Sequence, residues 1–392
     1  MRISIVLGPF LPVPPVLGGA VEKVHLLLAE AYVAAGHDVT IMSRQYADLP
    51  LHEVVNGVHH IRVRSRDRVR SDLSNFAADL LYSFRVARRL PPSDITVTNS
   101  LLLPLVLRRT TAARIYVHVA RYPKHQMFLY SRADRLQSIS HAVARAIVRQ
   151  TPGLAGKVVT IGYPVPTAYF QAAKFGARRE TILFVGRIAR EKGVHLLLKA
   201  MRLLSGAKNA AVLGRWKVMI VGPHEAACGG DGPEYLGELR KLAEPLGASC
   251  EFVGPVFDQD KLIAMYRASS IFIYPSLAER GEAFGLAPLE AMAAGCAVIV
   301  SSLSCFDDFV DDGQNAVKFE HTGPRPETEL AEKLARLISD RAERERLASN
   351  GALTAGNFRV PAIAARMLAD FTLLCRHEPS PTMMVCEHTA VD

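Results

Sequence analysis

The most informative part of this chain is the stretch Glu282-Ala-Phe-Gly-Leu-Ala-Pro-Leu-Glu290. It follows the apolar run Ile271–Pro275 and precedes the small-residue run Ala291–Val300. Pro288 is typical of a first helical turn, because its missing N–H would have no partner there anyway. The pattern predicts a buried strand, a loop that carries the first glutamate, and a helix that carries the second.

The same stretch has the chemistry of an anion site. Phe284, Gly285 and Leu286 lie where a predicted helix begins, and the amides and dipole of a helix N-terminus favour phosphate. Glu282 and Glu290 flank them, and carboxylates accept hydrogen bonds from hydroxyl groups. A sugar attached to a nucleoside diphosphate requires this combination. The alternative is a loop-capped helix whose two acids face solvent.

A second motif predicts the same kind of site. Thr181–Val185 is a short β-branched apolar run, typical of a buried parallel strand, and Gly186-Arg187-Ile-Ala-Arg190-Glu-Lys192-Gly193 follows it. Arg187 and Lys192 therefore leave the carboxyl end of a strand, where open α/β sheets bind ligands. A guanidinium and an ammonium there can neutralise a diphosphate leaving group.

Both motifs resemble those of glycosyltransferase family 4, within the glycosyl transferases group 1 superfamily. The first matches its E-x7-E signature, with Ala283 and Ala287 as departures, and the second matches its G-R-x4-K-G pattern. The resemblance covers about residues 1–375. It implies an α/β fold with two Rossmann-like domains facing a cleft (GT-B), in which a C-terminal helix crosses back to the first domain.

The resemblance also implies roles for single residues. Arg187, Lys192 and the amides near Gly285 would stabilise the departing diphosphate, Glu282 would hold sugar hydroxyls, and Glu290 would hold the ribose. The implied reaction is retaining front-face transfer without a protein nucleophile, metal ion or cofactor. Arg190 has no counterpart in the family pattern and is interpreted as a solvated loop cation.

The first half has its own candidate residues. Gly18-Gly19 ends a proline-rich loop at a helix start, where a ligand can approach the backbone closely; a tight turn without a ligand is the alternative. The resemblance implies that this pair contacts the donor phosphate and the acceptor. Glu22 has the spacing of a family site residue, or complements the helix dipole. The lysine that storage-polysaccharide synthases place before the pair is missing, which disfavours that class.

His118 ends a strand-like run and matches the cleft histidine of the family, which contacts the donor sugar. The alternative is a structural histidine at a strand end. Arg121, Tyr122 and Lys124 follow on a loop that would face the acceptor.

Strand-like and helix-like runs alternate along both halves, which predicts parallel sheets with covered faces. The Pro-rich segment Gly162–Thr167 is interpreted as a linker. We predict an acceptor-binding domain over residues 1–163, a donor domain over residues 168–361, a crossover helix over residues 362–375 and a disordered tail over residues 376–392.

The positive charge lies in the first half. Residues 1–170 contain 21 Lys and Arg against 10 Asp and Glu, a net charge of +11. Since the whole chain has a net charge of +9, the remaining residues carry −2. Arginines at every second position from 62 to 70 would share one face if that segment were extended. A solvated basic face is the favoured interpretation; docking on an anionic membrane and binding of a phosphorylated acceptor are the alternatives. Nucleic acid is disfavoured, because no aromatic residues alternate with the arginines.

Composition limits the remaining choices. The sequence has no long apolar run and no secretory signal, which predicts a cytoplasmic protein. Its six cysteines are scattered, which predicts reduced thiols and no metal site. We therefore predict a metal-independent hexosyltransferase that uses a nucleoside diphosphate sugar, UDP-hexose before GDP-mannose, and an unidentified acceptor. A nucleotide-sugar epimerase or phosphorylase of the same architecture, and a non-catalytic nucleotide-sugar-binding homologue, are the alternatives.

Overall fold

The chain divides into two compact units in the computed structural model, which describes residues 1–170, 178–206 and 213–376. Unit 1 comprises Met1–Pro164 and the segment that begins at Val360, and unit 2 comprises Val165–Arg359. Each unit has its own sheet and its own buried apolar core. The predicted tail beyond residue 376 lies outside the described residues.

Unit 1 is built on an eight-stranded sheet in the order β3-β4-β2-β1-β5-β6-β7-β8. All its strand pairs are parallel except β3 and β4, which form an antiparallel hairpin at one edge. The strands are β1 (Arg2–Val6), β2 (Asp38–Arg44), β3 (His52–Val55), β4 (Val58–Val63), β5 (Ser93–Thr98), β6 (Ala112–Val119), β7 (Arg135–Ser138) and β8 (Val158–Thr160). β3 and β8 were not among the predicted strands, because they have only four and three residues.

Five helices belong to unit 1: α1 (Ala20–Ala34), α2 (Asp72–Ala87), α3 (Leu103–Val106), α4 (His141–Gln150) and α11 (Val360–Arg376). The chain reaches α11 only after all of unit 2, yet this helix packs in unit 1. Its Phe371 ring lies edge-on to the Tyr116 ring of β6, with 4.9 Å between centroids, and Asp370 pairs with Arg135 of β7 at 3.1 Å. The predicted return of the C-terminal helix to the first domain is confirmed.

Unit 2 is a six-stranded parallel sheet in the order β11-β10-β9-β12-β13-β14. Its strands are β9 (Arg179–Val185), β10 (Lys217–Val221), β11 (Cys250–Gly254), β12 (Ser269–Tyr274), β13 (Ala297–Ser301) and β14 (Val317–Phe319). Its helices are α5 (Val194–Ser205), α6 (Gly232–Ala243), α7 (Gln259–Ala268), α8 (Leu286–Ala293), α9 (Pro326–Ser339) and α10 (Arg341–Gly356). The sequence analysis had named neither α9 nor α10.

The strand order of unit 2 reverses between β9 and β12. Connections on either side of such a switch point lead away from each other, so a crevice opens beyond the carboxyl ends of the two strands. The loop after β9 carries Arg187 and Lys192, and the segment after β12 carries Glu282. Topology therefore brings the two predicted motifs of this half to one place.

The predicted basic face needs one correction. Regular strand structure ends at Val63, so the segment that follows is not a strand. Arg62 is buried in β4, where it pairs with Glu53 of β3 and donates to the carbonyl oxygen of Val13 at 3.1 Å. The prediction that Arg62 shares an exposed face with the later arginines is wrong, because its guanidinium is buried and bonded to other groups inside unit 1.

Candidate functional site

A glycine makes the close approach of the two loops in unit 2 possible. Gly193 ends the turn after β9 with φ of 69°, in the left-handed region. A Cβ atom there would lie 1.9 Å from the carbonyl oxygen of Pro275, which follows β12. Only glycine allows this contact, and it holds the lysine before it against the other loop.

The buried centre of the site is an ion pair between these loops. Lys192 Nζ donates to Glu282 Oε2 at 2.6 Å, and both side chains are almost fully buried. The Tyr274 hydroxyl donates to the same oxygen at 2.9 Å, and the ammonium lies 5.6 Å from the centre of the Tyr274 ring. Burial, and then the charge of Glu282, raise the pKa of Tyr274 well above its usual value, so the phenol stays a proton donor.

Arg187 lies at the more open side of the same loop. Its side chain is 41% exposed, and it donates to Glu191 Oε1 at 2.6 Å and to the carbonyl oxygen of Gly229. Arg190, three residues later, pairs with Glu238 at 2.5 Å and stacks over the ring of Tyr235. The partially exposed Arg187 has donors that a ligand can reach.

Helix α8 begins without a side-chain cap. Its N-cap residue is Gly285, with φ of 88°, which has no side chain to cap the helix. A Cβ on Gly285 would come within 2.3 Å of the Phe306 ring, so this position also requires glycine. Leu286 begins the helix and is partly exposed. The predicted amides of Gly285 and Leu286 therefore stand at a helix start without a side-chain cap.

Phe284 contributes its backbone and not its ring to this helix end. The side chain is buried against the rings of Phe309 and Phe358, at centroid distances of 5.5 and 6.0 Å. The ring anchors the loop in the core of unit 2, which fixes the direction in which the following amides point.

Glu290 is held by two tyrosines that the sequence analysis had not named. The Tyr266 hydroxyl donates to Glu290 Oε2 at 3.4 Å, and Tyr169 also hydrogen-bonds this carboxylate. Burial raises the pKa of both phenols, so they remain donors. Glu290 lies in α8, within two helical turns of the helix start that favours anions. The E-x7-E stretch predicts this position.

In unit 1, Glu22 folds back over the glycine pair. A Cβ on Gly19 would lie only 2.1 Å from a carboxylate oxygen of Glu22, and the φ values of Gly18 and Gly19 are 78° and 108°. Burial raises the pKa of Glu22, while its own backbone N–H and the charge of Arg121 oppose that rise. Arg121 and Lys124 are exposed, and Tyr122 is partly buried beside them.

His118 lies in a buried hydrogen-bonded chain. Its Nδ1–H donates to Gln137 Oε1, and its Nε2 accepts from the Tyr163 hydroxyl at 3.2 Å. The ring is 4% exposed, and burial lowers its pKa to about 4, so it is neutral at physiological pH. The His25 ring of α1 lies edge-on to it, 4.7 Å away, and has a buried Nε2 without a hydrogen-bond partner among the described residues.

The structure sorts the predicted residues into two groups. Unit 2 brings together the residues of its two motifs: Arg187, Lys192, Glu282, Phe284, Gly285, Leu286 and Glu290. Unit 1 brings Glu22, His118 and Arg121 near one another at the carboxyl end of its sheet. Sequence reasoning missed Tyr274, Tyr266, Tyr169 and His25. Only Tyr274 carried a signal, as the last residue of an apolar strand directly before a proline.

Within the described residues, no group of three His, Cys, Asp or Glu side chains is arranged to hold a metal ion. Their five cysteines are free; Cys296 and Cys305 are buried, which raises the pKa of both thiols. No helix in this part of the chain is long and apolar enough to cross a membrane.

Comparison with known families and structures agrees with this architecture. Residues 167–354 match the family model described as Glycosyl transferases group 1. The fold resembles sucrose-phosphate synthase of Thermosynechococcus elongatus with a TM-score of 0.76 and 21% identity, over 96% of this chain and 100% of that one. Anabaena HepE, solved in complex with UDP and glucose, aligns with a TM-score of 0.71 and 17% identity, over 95% and 99%. The two-domain GT-B fold is confirmed.

Curated relatives match at lower identity or over shorter stretches. Spore coat protein SA of Bacillus subtilis is 23% identical in an alignment of 381 positions that covers 88% of this chain and 92% of that protein. A D-inositol 3-phosphate glycosyltransferase of Geodermatophilus obscurus is 33% identical over 194 residues, which are 49% of this chain but only 40% of that protein. These matches agree with the similarity of residues 167–354 to the Glycosyl transferases group 1 family.

Proposed function

We propose, on the premise of the similarity of residues 167–354 to the Glycosyl transferases group 1 family, that the protein is a retaining hexosyltransferase of family 4. It transfers a hexose from a nucleoside diphosphate sugar to an acceptor in the cytoplasm, without a metal ion. The observation that carries this proposal is the buried Lys192–Glu282 pair beside the uncapped start of α8, at the switch point of the sheet.

The leaving diphosphate is stabilised by charges that belong to the protein. Lys192 has three N–H donors, and Glu282 accepts one of them, so two remain for diphosphate oxygens. Arg187 adds a guanidinium that is partly exposed. The amides at the start of α8 add partial positive charge. Because these groups are fixed before the bond breaks, they favour the charge that develops in the transition state.

The two glutamates select the hydroxyl groups of the donor. Lys192 and Tyr274 both bond Oε2 of Glu282, which leaves Oε1 for a sugar hydroxyl. Glu290 is oriented by Tyr266 and Tyr169 and accepts from the ribose. Neither carboxylate is required as a nucleophile, and the leaving phosphate takes the proton of the acceptor.

The remaining roles are proposed for residues of unit 1. We assign Gly18 and Gly19 to the donor phosphate and His118 to the donor sugar. For this the His118 ring would exchange its Tyr163 partner for a sugar oxygen, since both of its nitrogens are occupied. Glu22, Arg121, Tyr122 and Lys124 are assigned to the acceptor.

UDP-hexose is the preferred donor and GDP-mannose the second choice. The complex of Anabaena HepE with UDP and glucose supports the first. The mannosyltransferase WbdA of Escherichia coli, 29% identical over 196 residues, supports a mannosyl donor as second choice. The D-inositol 3-phosphate glycosyltransferases among the relatives support a phosphorylated acceptor as one candidate class.

A donor screen tests the proposal. UDP-glucose, UDP-N-acetylglucosamine and GDP-mannose are added singly to the full-length protein, and the melting temperature and nucleoside diphosphate release are measured. We expect a UDP-sugar to raise the melting temperature, because a ligand that binds only the folded state stabilises it. We also expect slow release of UDP without acceptor, with retention of the anomeric configuration in the released sugar.

Three results would contradict it. Inversion of the anomeric configuration would exclude the retaining mechanism. Isomerised nucleotide sugar with no released diphosphate would indicate an epimerase. Binding of the donor with no turnover by any acceptor tested, phosphorylated ones included, would indicate a non-catalytic homologue.

A further inference from the structure

Helix α2 presents four large apolar side chains to solvent. The exposed fractions are 80% for Leu73, 43% for Phe76, 57% for Leu81 and 48% for Phe84. Their spacing of three to five residues places them on one side of the helix. Four large apolar side chains on one helix face form a contiguous patch, which marks an interaction site more often than scattered exposed residues do.

The opposite side of α2 is buried, and two of its polar side chains are held by hydrogen bonds. Asp79 accepts from the Ser100 hydroxyl at 2.9 Å and from the Leu102 amide at 2.8 Å. Asn75 donates to the carbonyl oxygen of Val69 at 2.7 Å. Rotating α2 to bury its leucines and phenylalanines would strip Asp79 of these donors and leave its carboxylate without compensation. The outward apolar face is therefore fixed by the fold.

Arginines surround this face. Residues 64–89 contain seven arginines against three aspartates. Asp79 is buried and Asp67 pairs with Arg44 at 2.7 Å, so the exposed Asp67 and Asp72 face seven arginines. The seven arginines are Arg64, Arg66, Arg68, Arg70, Arg85, Arg88 and Arg89.

The arginine segment is attached to the helix itself. Arg85 of α2 donates to the carbonyl oxygen of Arg64 at 2.9 Å, and Arg66 donates to the Ser74 hydroxyl at 2.5 Å. The segment therefore runs along α2, and its cations and the apolar face form one surface. We call this the α2 surface, made of Leu73, Phe76, Leu81, Phe84 and the seven arginines.

We infer that the α2 surface docks unit 1 on an anionic lipid bilayer. A helix that lies in a membrane interface needs an apolar face for the acyl region and basic residues for lipid phosphates. Each basic residue near an anionic surface adds to the attraction, and the long arginine side chains can reach the headgroups while the rings insert. Charge complementarity thus selects an anionic bilayer over a neutral one. The docking needs no nucleotide sugar, so it can be tested independently of the proposed reaction.

Flotation of the full-length protein with lipid vesicles tests the inference. The vesicles are pure phosphatidylcholine, or phosphatidylcholine with about 30% phosphatidylglycerol to supply anionic charge. We expect binding to the anionic vesicles at low salt, weakened by high salt, and little binding to the neutral ones. Phe76→Ser with Phe84→Ser is expected to lower the bound fraction about tenfold, because two inserted rings are lost.

Matched variants in unit 2 control for a general loss of apolar surface. Phe257 and Leu353 are 81% and 75% exposed, and Phe257→Ser with Leu353→Ser should leave vesicle binding unchanged. For the charges, the triple change Arg68→Gln, Arg70→Gln and Arg89→Gln should weaken binding. The triple change Arg202→Gln, Arg215→Gln and Arg240→Gln should not. Unfolding curves that match the wild type show that each variant is folded.

A fluorescent probe reports insertion directly. Phe84→Trp places an indole on the α2 surface, whereas the native Trp216 is buried in unit 2. We expect a blue shift of the added emission, and quenching by brominated lipid, on anionic vesicles. The inference is overturned if the wild type ignores anionic vesicles at low salt, if the unit 2 controls lose binding equally, or if the indole is not quenched. It is also overturned if Phe76→Ser with Phe84→Ser dissolves a dimer and leaves vesicle binding unchanged, since the α2 surface would then be a protein interface.

Discussion

Lys192 Nζ lies 2.6 Å from Glu282 Oε2, although 90 residues of chain separate the two. A buried pair of this kind contributes little net stability, but removing one partner leaves the other charge buried without compensation. The pair therefore links the stability of unit 2 to the proposed donor site, and several predictions separate the two effects.

Arg187→Ala should lower transfer by about 100-fold, in line with the loss of one donor to a developing anion. The side chain is partly exposed, so the fold should survive. The control is Arg190→Ala in the same loop, where the guanidinium pairs with Glu238. Initial rates with the best donor from the screen give the comparison. Equal rates for Arg187→Ala and the wild type would remove Arg187 from the site.

Lys192→Ala should lower both transfer and stability. We expect the free energy of unfolding to fall by about 3–5 kcal/mol, because Glu282 stays buried without its partner. The double variant Lys192→Met with Glu282→Gln should recover much of that stability and remain inactive. Denaturant unfolding and rate measurements on the same samples distinguish the effects; recovery of activity in the double variant would contradict the assigned roles.

EDTA should not abolish transfer, since the protein's own cations are proposed to stabilise the leaving diphosphate. The measurement is the initial rate before and after chelation and dialysis. Loss of activity that Mg²⁺ or Mn²⁺ restores would show that a metal ion supplies this charge instead.

Gly285→Ala should destabilise unit 2 and weaken donor binding. A positive φ strains alanine by about 1–3 kcal/mol, and the new Cβ would also push the Phe306 ring away. Gly237→Ala in α6 is the matched control, because its Cβ would meet no atom within 4 Å. Thermal unfolding and donor titration should show a loss for the first variant alone, since alanine suits a helix interior better than glycine and Gly237→Ala should not lose stability. A Gly285→Ala protein with wild-type stability would contradict the prediction.

Stability should fall as the pH falls from about 6.5 towards 5, with a contribution from His118 and His25. Burial lowers the pKa of both histidines, His118 to about 4, so in this window they take up protons only in the unfolded state. Each such group lowers the free energy of unfolding by up to about 1.4 kcal/mol for each unit by which the pH falls. The raised pKa of Glu22 acts in the opposite direction at lower pH, because the folded state then binds the extra proton.

The variant His118→Asn isolates this contribution. Its free energy of unfolding should be lower than that of the wild type. The decrease of this free energy between pH 6.5 and 5 should be smaller than in the wild type, by about the contribution of one histidine. Denaturant unfolding at several pH values measures both quantities. An unchanged slope would mean that His118 titrates normally in the folded protein.

The local sequence determined the elements and motifs around the candidate site. Apolar runs such as Thr181–Val185 are strands because their β-branched side chains are buried on both faces of a parallel sheet. Pro288 and the residues before it predicted the start of α8, since a proline without an N–H fits only that turn. The polar hairpin strand β3 escaped prediction because its residues carry no burial pattern of their own.

Tertiary structure decided which of these residues meet. Nothing local shows that Glu282 is held by Lys192 and Tyr274, or that Tyr266 and Tyr169 hold Glu290, since those contacts depend on the order of the strands. The alternating arginines looked alike in the sequence, yet Arg62 is buried against Glu53 while Arg68 and Arg70 face solvent. Spacing along a chain gives periodicity, but burial and pairing depend on which distant residues the fold brings within a few ångströms, and only the packed structure fixes those distances.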